Sequence, residues 1–244
     1  NTFGVRAETA FNAVHEAIVA AGVAAALKEI YEYFSDCSQA SMDFESAITG
    51  VAKTTDLTDS ELATMSDSIK ALSTEIPATT EEIAAVTAAA GQLGIQTDAR
   101  LDVSEILTML GTATNMTADE AATALARFAN ITGMATDNYG RLGSVIVDLG
   151  NNFATTESEI VAMGTRLASA GKLAGLTEPE IMALAAAMSS VGIEAEAGGT
   201  AMTQTLNAIE KAVAKGGDDL AEFARIAGMS SEEFSSAWKT DAMS

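Results

Sequence analysis

The stretch Thr156–Ala170, TESEIVAMGTRLASA, contains a helix-start signal followed by one apolar face. Thr156 and Glu159 have the spacing of a capping box, in which the threonine side chain accepts from the N–H three residues on and the glutamate reaches back to the threonine N–H. The apolar residues that follow are spaced by three, four and three positions, which places them on one side of an α-helix: Ile160, Met163, Leu167 and Ala170. The stretch therefore predicts a helix with a defined start and one buried side.

The same combination recurs along the chain. Five further capping boxes pair Thr58 with Glu61, Thr79 with Glu82, Thr117 with Glu120, Thr177 with Glu180 and Ser230 with Glu233. Apolar series follow the boxes, and two more begin without a box, at Val103 and Leu142. Successive series start about 20 residues apart, which leaves room for a helix of about 14 residues and a short loop. The predicted buried faces include Ile131 and Val191 at their ends.

These units predict an all-α fold in which residues 56–244 form a compact array of short antiparallel helices. Short loops make sequential helices antiparallel neighbours, and a helix with one narrow apolar face must stack to bury it. Six glycines are expected at the left-handed position after a helix: Gly94, Gly133, Gly150, Gly171, Gly192 and Gly228. Two short final helices are expected to close the core with Leu220, Phe223, Ile226, Phe234 and Trp238.

Residues 1–55 are predicted to form a long N-terminal helical arm. No helix-ending signal occurs between Phe3 and Phe34, and Ser35–Ser41 is either a break or a solvated turn of one long helix. An arm that protrudes would expose its apolar face and associate with a copy of itself as a coiled coil. The alternative is that it folds back on the domain. The apolar series of the arm are Phe11, Val14, Ile18, Ala21; Ala24, Leu27, Tyr31, Phe34; and Phe44, Ile48, Val51.

Composition and residue spacing argue against several kinds of chemistry. The formal net charge is −21, with 34 acidic and 13 basic residues, whereas nucleic-acid binding needs clustered Lys and Arg; we expect no stable nucleic-acid binding by this segment. The surplus acid has a second interpretation, that it only keeps an Ala-rich chain in solution. His15 and Cys37 have no partners at metal-ligand or catalytic spacing. The sequence predicts no enzyme, no cofactor and no catalytic, cofactor-binding or metal-binding residues.

The chain begins at Asn1 rather than Met, so we expect it to be a piece of a longer protein. The longest uncharged apolar run near the start, Ala17–Leu27, is about half the length that a bilayer span needs. Any membrane-active segment is therefore expected elsewhere in the full chain.

Ordered segments between Phe44 and Ser244 carry a family resemblance. They include Ile76-Pro77, GQLGI at Gly91–Ile95, ARFAN at Ala126–Asn130, DLGNN at Asp148–Asn152 and GIEAEAGG at Gly192–Gly199. Together they are similar to the conserved core region of phage tail tape measure proteins.

This resemblance implies a structural virion protein that lies in the tail tube or tip, determines tail length during tail assembly, and leaves ahead of the DNA in viral genome ejection. The implied partners are further copies of itself (a trimer or hexamer), the tail tube, the tail tip or distal tail, and tail assembly chaperones. The host envelope would be contacted through other parts of the full chain, and assembly would occur in the host bacterial cytoplasm. Since a compact domain measures little length, the measuring stretches are expected elsewhere.

The sequence leaves two alternative functions open. The first is a helical protein-interaction scaffold that is not tied to a tail. The second is a hydrolase or membrane-active effector, which would need His, Cys or Asp clusters that the sequence does not show.

Overall fold

The computed structural model describes residues 9–16 and 23–243, and all regular structure within these ranges is helical. This confirms the all-α prediction. The chain divides into two compact units, one up to Gln92 and one from Leu93 onward. The functional division into an arm of residues 1–55 and a core of residues 56–244 stays a prediction.

The first unit contains α1 (Val23–Lys53), α2 (Asp59–Leu72) and α3 (Thr80–Gln92), and residues 9–16 are also helical. Helix α1 is continuous through Ser35–Ser41, so this polar segment is a solvated turn of one long helix. The predicted helical positions Phe3, Ile18 and Ala21 lie outside the described residues, as does the side chain of Ala24.

The three helices of the first unit contact one another around the C-terminal end of α1. Val51 is fully buried there, and the predicted faces of α2 and α3 are buried at Met65, Ile69, Leu72, Ile83, Val86 and Ala90. Helix α3 approaches the end of α1 closely, since a Cβ on Gly91 would lie 2.9 Å from the carbonyl oxygen of Thr54.

The second unit continues with short helices joined by short loops. These are α4 (Thr97–Ala113), α5 (Ala118–Thr132), a 3₁₀ turn (Thr136–Asn138), α6 (Tyr139–Asn152), α7 (Glu157–Leu173), α8 (Glu178–Ser190), α9 (Ala195–Lys215), α10 (Asp218–Ala227) and α11 (Ser231–Thr240).

Helices α4 to α9 form two layers. Helices α4, α6 and α8 contact in sequence in one layer, and α5, α7 and α9 do so in the other. The loops at one end are joined by side chains: Asn115 donates from Nδ2 to Ser158 Oγ (2.8 Å), and the hydroxyls of Thr155 and Ser189 are 2.6 Å apart. The array of short antiparallel helices is therefore confirmed.

Helix α7 is the centre of this arrangement, because it contacts α5, α6, α8 and α9. It buries the four predicted residues and a second, adjacent series, Val161, Gly164, Ala168 and Gly171. The expectation of one narrow apolar face per helix is wrong for α7. Its second face consists largely of Gly and Ala, which give little hydropathy signal but let neighbouring helices approach.

Two of the six predicted helix-ending glycines are wrong. Gly94, Gly133, Gly192 and Gly228 have positive φ as predicted, whereas Gly150 lies inside α6 and Gly171 inside α7. A Cβ on Gly171 would lie 2.7 Å from Cγ1 of the buried Ile181, so this glycine permits close packing. A Cβ on Gly150 would meet the side chain of Glu157.

Three large residues of the predicted buried faces are exposed instead: Ile131 (45%), Val191 (73%) and Ile226 (69%). In α5 the buried face passes through Leu125 and Thr132, and the Thr132 hydroxyl is satisfied by donating to the Phe128 carbonyl. Val191 follows the last residue of α8. The apolar spacing of three and four residues continues past the buried face at Ile131 and past the end of the helix at Val191.

The final helices pack on the end of α9 in a cluster of their own. Phe223, Phe234 and Trp238 cover Ala212, Val213 and Leu220, and Trp238 Nε1 donates to Glu210 Oε2 at 2.8 Å. The sequence had placed these aromatic residues on the main core, which instead centres on α7.

A glycine pair tests the close packing of α9 on α7. A Cβ on Gly199 would lie 2.8 Å from Cβ of Arg166, an atom fixed to the backbone of α7, whereas a Cβ on Gly140 would make an ordinary 3.5 Å contact with Ile106 Cδ1. We expect Gly199→Ala to lower the free energy of unfolding by about 1–3 kcal/mol. Gly140→Ala should leave it unchanged or raise it by less than about 1 kcal/mol.

Urea unfolding followed by Trp238 fluorescence measures both variants, since the only tryptophan packs on α9. Equal effects of the two substitutions would contradict the close contact.

Candidate interaction surfaces

The six predicted capping boxes are all present. At Thr156, the backbone N–H donates to Glu159 Oε2 (3.1 Å), and the Glu159 N–H donates to Thr156 Oγ1 (3.4 Å). The carboxylates of these boxes lie in first helical turns, where they also meet the positive end of the helix dipole. Their position is thus explained by helix capping.

Hydrogen bonds from the caps hold the pKa of several of these glutamates below its usual range. The backbone N–H of the cap is the largest cause at Glu120, Glu159 and Glu233, followed by the cap hydroxyl. At Glu61 the Thr58 hydroxyl comes first and the backbone N–H second. The ionised form of each carboxylate is therefore the one that the fold stabilises.

The residues considered for chemistry are not brought into a cluster. His15 is exposed, and Cys37 is a half-buried free thiol on α1. A hydrogen bond with Cys37 raises the pKa of Tyr33, one turn earlier on the same helix. Across residues 9–16 and 23–243, no three His, Cys, Asp or Glu side chains are placed to share a metal ion. That the chain has no catalytic, cofactor or metal site stays a prediction.

One buried charge was missed by sequence reasoning. Arg100 is 6% exposed, and its Nη2 donates to the Ile95 carbonyl at 2.8 Å, while Nε and Nη1 have no hydrogen-bond partner. Burial lowers the pKa of this guanidinium. This hydrogen bond connects the turn before α4 to the first turn of that helix. The sequence signal for the burial of Arg100 was its position three residues before Val103, on the apolar face of the helix.

The first apolar surface lies on the N-terminal part of α1. Leu27, Tyr31 and Phe34 are 60%, 75% and 67% exposed, whereas Val51 at the other end of the helix is buried. Phe44 lies at the transition: it is half-buried, and the Lys70 ammonium stands 5.2 Å from its ring centre. The C-terminal end of α1 thus folds onto its unit, and the N-terminal part keeps an uncovered apolar face.

The second apolar surface is a groove between α4 and α6, with a volume of about 500 Å³. Ile106 and Leu110 from α4 meet Gly140 and Gly143 from α6 along its floor, where the glycines leave space above them. The remaining lining residues are Met109, Ala113, Ser144, Val147, Asp148 and Asn151.

Among the described helices, none combines the length and the hydropathy of a membrane span.

These features define an all-helical protein whose distinctive surfaces are apolar contact faces. The family model described as "Phage-related minor tail protein" matches residues 66–242, more than half of the chain. The chain therefore belongs to this family and is a structural component of a phage tail, associated with the virion. Searches of curated proteins and of solved structures found no match.

The capping boxes make the stability of the fold depend on pH. An unfolded glutamate has a pKa of about 4.3, and the pKa of each of the four shifted glutamates is lower in the folded chain. Their contribution to stability is present above the unfolded pKa and is lost as pH falls through the folded pKa. We expect the variant with Gln at Glu61, Glu120, Glu159 and Glu233, which keeps the acceptor but cannot titrate, to lose less thermal stability below about pH 4.5 than the parent.

Thermal melts between about pH 3 and 7 measure this difference. The matched control replaces four exposed glutamates outside the boxes, Glu16, Glu29, Glu45 and Glu75, and corrects for the change in net charge. If the control flattens the pH profile as much as the box variant does, capping is not its source.

Proposed function

We propose that this chain is the core segment of the tail's tape measure protein, present in three or six copies that associate through α1. The carrying observation is the exposed apolar face of Leu27, Tyr31 and Phe34 in a member of a phage tail family. Its partners would be the tail tube, the tail tip or distal tail, and the tail assembly chaperones. It would be taken into the tail from the host cytoplasm and be released ahead of the DNA.

The spacing of residues on α1 supports a coiled coil. Positions three and four residues apart alternate from Leu27 to Val51 and are apolar except at Ser41, the pattern in which helices supercoil: Leu27, Ile30, Phe34, Cys37, Ser41, Phe44, Ile48 and Val51. Val51 is buried within the first unit and Phe44 and Ile48 are half-buried, whereas Leu27 and Phe34 are exposed. A second copy of α1 would cover the exposed half.

The compactness of the second unit bears on the measuring role. An α-helix rises about 1.5 Å per residue, but α4 to α9 reverse direction at every loop. We infer that the measuring stretches lie in other parts of the full protein. The net charge of −21 would let the chain share the tube with DNA without binding it.

Cys37 offers a direct test, because it is the only cysteine and belongs to the proposed seam. In a parallel coiled coil, Cys37 of neighbouring copies would lie side by side. We expect mild oxidation to join two chains through a disulfide, both in the isolated protein and in purified phage particles, and Cys37→Ser to remove this product from both. Non-reducing gel electrophoresis with detection of this chain measures the product.

Glutamate substitutions on the exposed face of α1 are compared with glutamate substitutions elsewhere on the surface. Tyr31→Glu with Phe34→Glu should convert the oligomer into a monomer by light scattering and abolish the cross-link. Leu173→Glu with Val191→Glu changes two comparably exposed apolar residues outside α1, 64% and 73% exposed, and should leave the oligomer intact. A monomeric parent chain that does not cross-link in particles would refute the proposal, as would equal dissociation by the control.

A further inference from the structure

The groove between α4 and α6 has an apolar floor and an acidic rim. Asp102 is exposed, lies one turn before Ile106 and shares its side of α4. On α6 the exposed Asp148 lines the groove. Arg141, three residues before Ser144, lies on the same side of α6, so two carboxylates and one cation flank the groove.

The dimensions of the groove suit a helix. Its α6 wall runs from Gly140 to Asn151, which corresponds to about 16 Å or three turns of helix. Met109 is 50% exposed at its side, and Gly143 contributes no side chain to fill it. A helix that inserts residues at positions i, i+3 or i+4, and i+7 meets a surface of this length and character.

We infer that this groove binds an amphipathic helix of a partner protein, with its apolar face toward Ile106, Leu110 and Gly143 and with Lys or Arg along its flanks. The apolar floor supplies the contact area, and the acidic rim selects the basic flanks. This surface belongs to the second unit and does not depend on the association of α1.

Charge argues against a second copy of this chain as the occupant. The exposed face of α1 is flanked by Glu29, Glu32 and Asp36, and its one nearby cation, Lys28, pairs with Glu32 at 3.5 Å. Docking that face into the groove would place these carboxylates near Asp102 and Asp148. Like charges facing each other at an interface oppose association.

A designed peptide tests the inference. The probe is a fluorescein-labelled 14-mer of Leu and Lys whose leucines follow i, i+3, i+4 and i+7, and the comparison peptide has the same composition in scrambled order. Fluorescence anisotropy at physiological salt measures both with the whole chain. We expect the ordered peptide to bind at least about tenfold more tightly, because a net acidic protein attracts both peptides but the groove recognises one.

Two variants locate the binding. Ser144→Trp places a large side chain from an exposed position over the groove. This substitution should weaken binding of the ordered peptide at least about tenfold. Ser169→Trp, at an exposed position of α7 outside the groove, is the control and should change binding less than about twofold. Circular dichroism confirms that both variants keep their helix content. Asp102→Asn with Asp148→Asn should weaken binding and reduce its dependence on salt.

Equal binding of the ordered and scrambled peptides would overturn the inference, as would an unchanged affinity in Ser144→Trp. Tighter binding of a peptide of residues 27–42 than of the basic peptide would assign the groove to a second copy instead. These results do not depend on whether Cys37 cross-links, so failure here is distinguishable from failure of the proposed function.

Discussion

The close approach of helices to α7 is the constraint on which the second unit depends. Four neighbouring helices contact α7, and two of them, α8 and α9, reach it where side chains are small: Gly164 and Gly171 on α7, and Gly198 and Gly199 on α9. Because dispersion attraction falls quickly with distance, small residues at these points bring many more atoms into contact. Larger residues such as Met163 and Leu167 fill the remaining spaces, and both are fully buried.

This arrangement determines which surfaces remain available for function. Helices α4 and α6 lie in the layer that does not contain α7, and the groove lies between them. Helix α1 buries its C-terminal end and leaves four large apolar side chains in solvent, Leu27, Tyr31, Phe34 and Met42. Uncovered apolar faces on a tail family member are consistent with a protein whose work is to contact other chains.

The sequence predicted the features that have a local physical cause, and it failed where long-range packing decides. A capping box is a contact between residues three positions apart, so all six boxes were found. Gly171 was assigned to a helix end because nothing local distinguishes it from Gly175, which has the positive φ; only the neighbouring Ile181 requires a glycine there. Arg100 and the groove were likewise missed, because burial and surface shape depend on which helices meet.

Amide hydrogen exchange of the whole chain tests the central role of α7 most directly. Local opening of a helix requires breaking its contacts, so the helix with most neighbours should exchange last. The expected result is that Glu157–Leu173 contains the most slowly exchanging amides of the second unit, while α10 and α11, which pack in the separate cluster at the end of α9, exchange sooner. If α7 exchanged as fast as α10 and α11, the unit would not be organised around it.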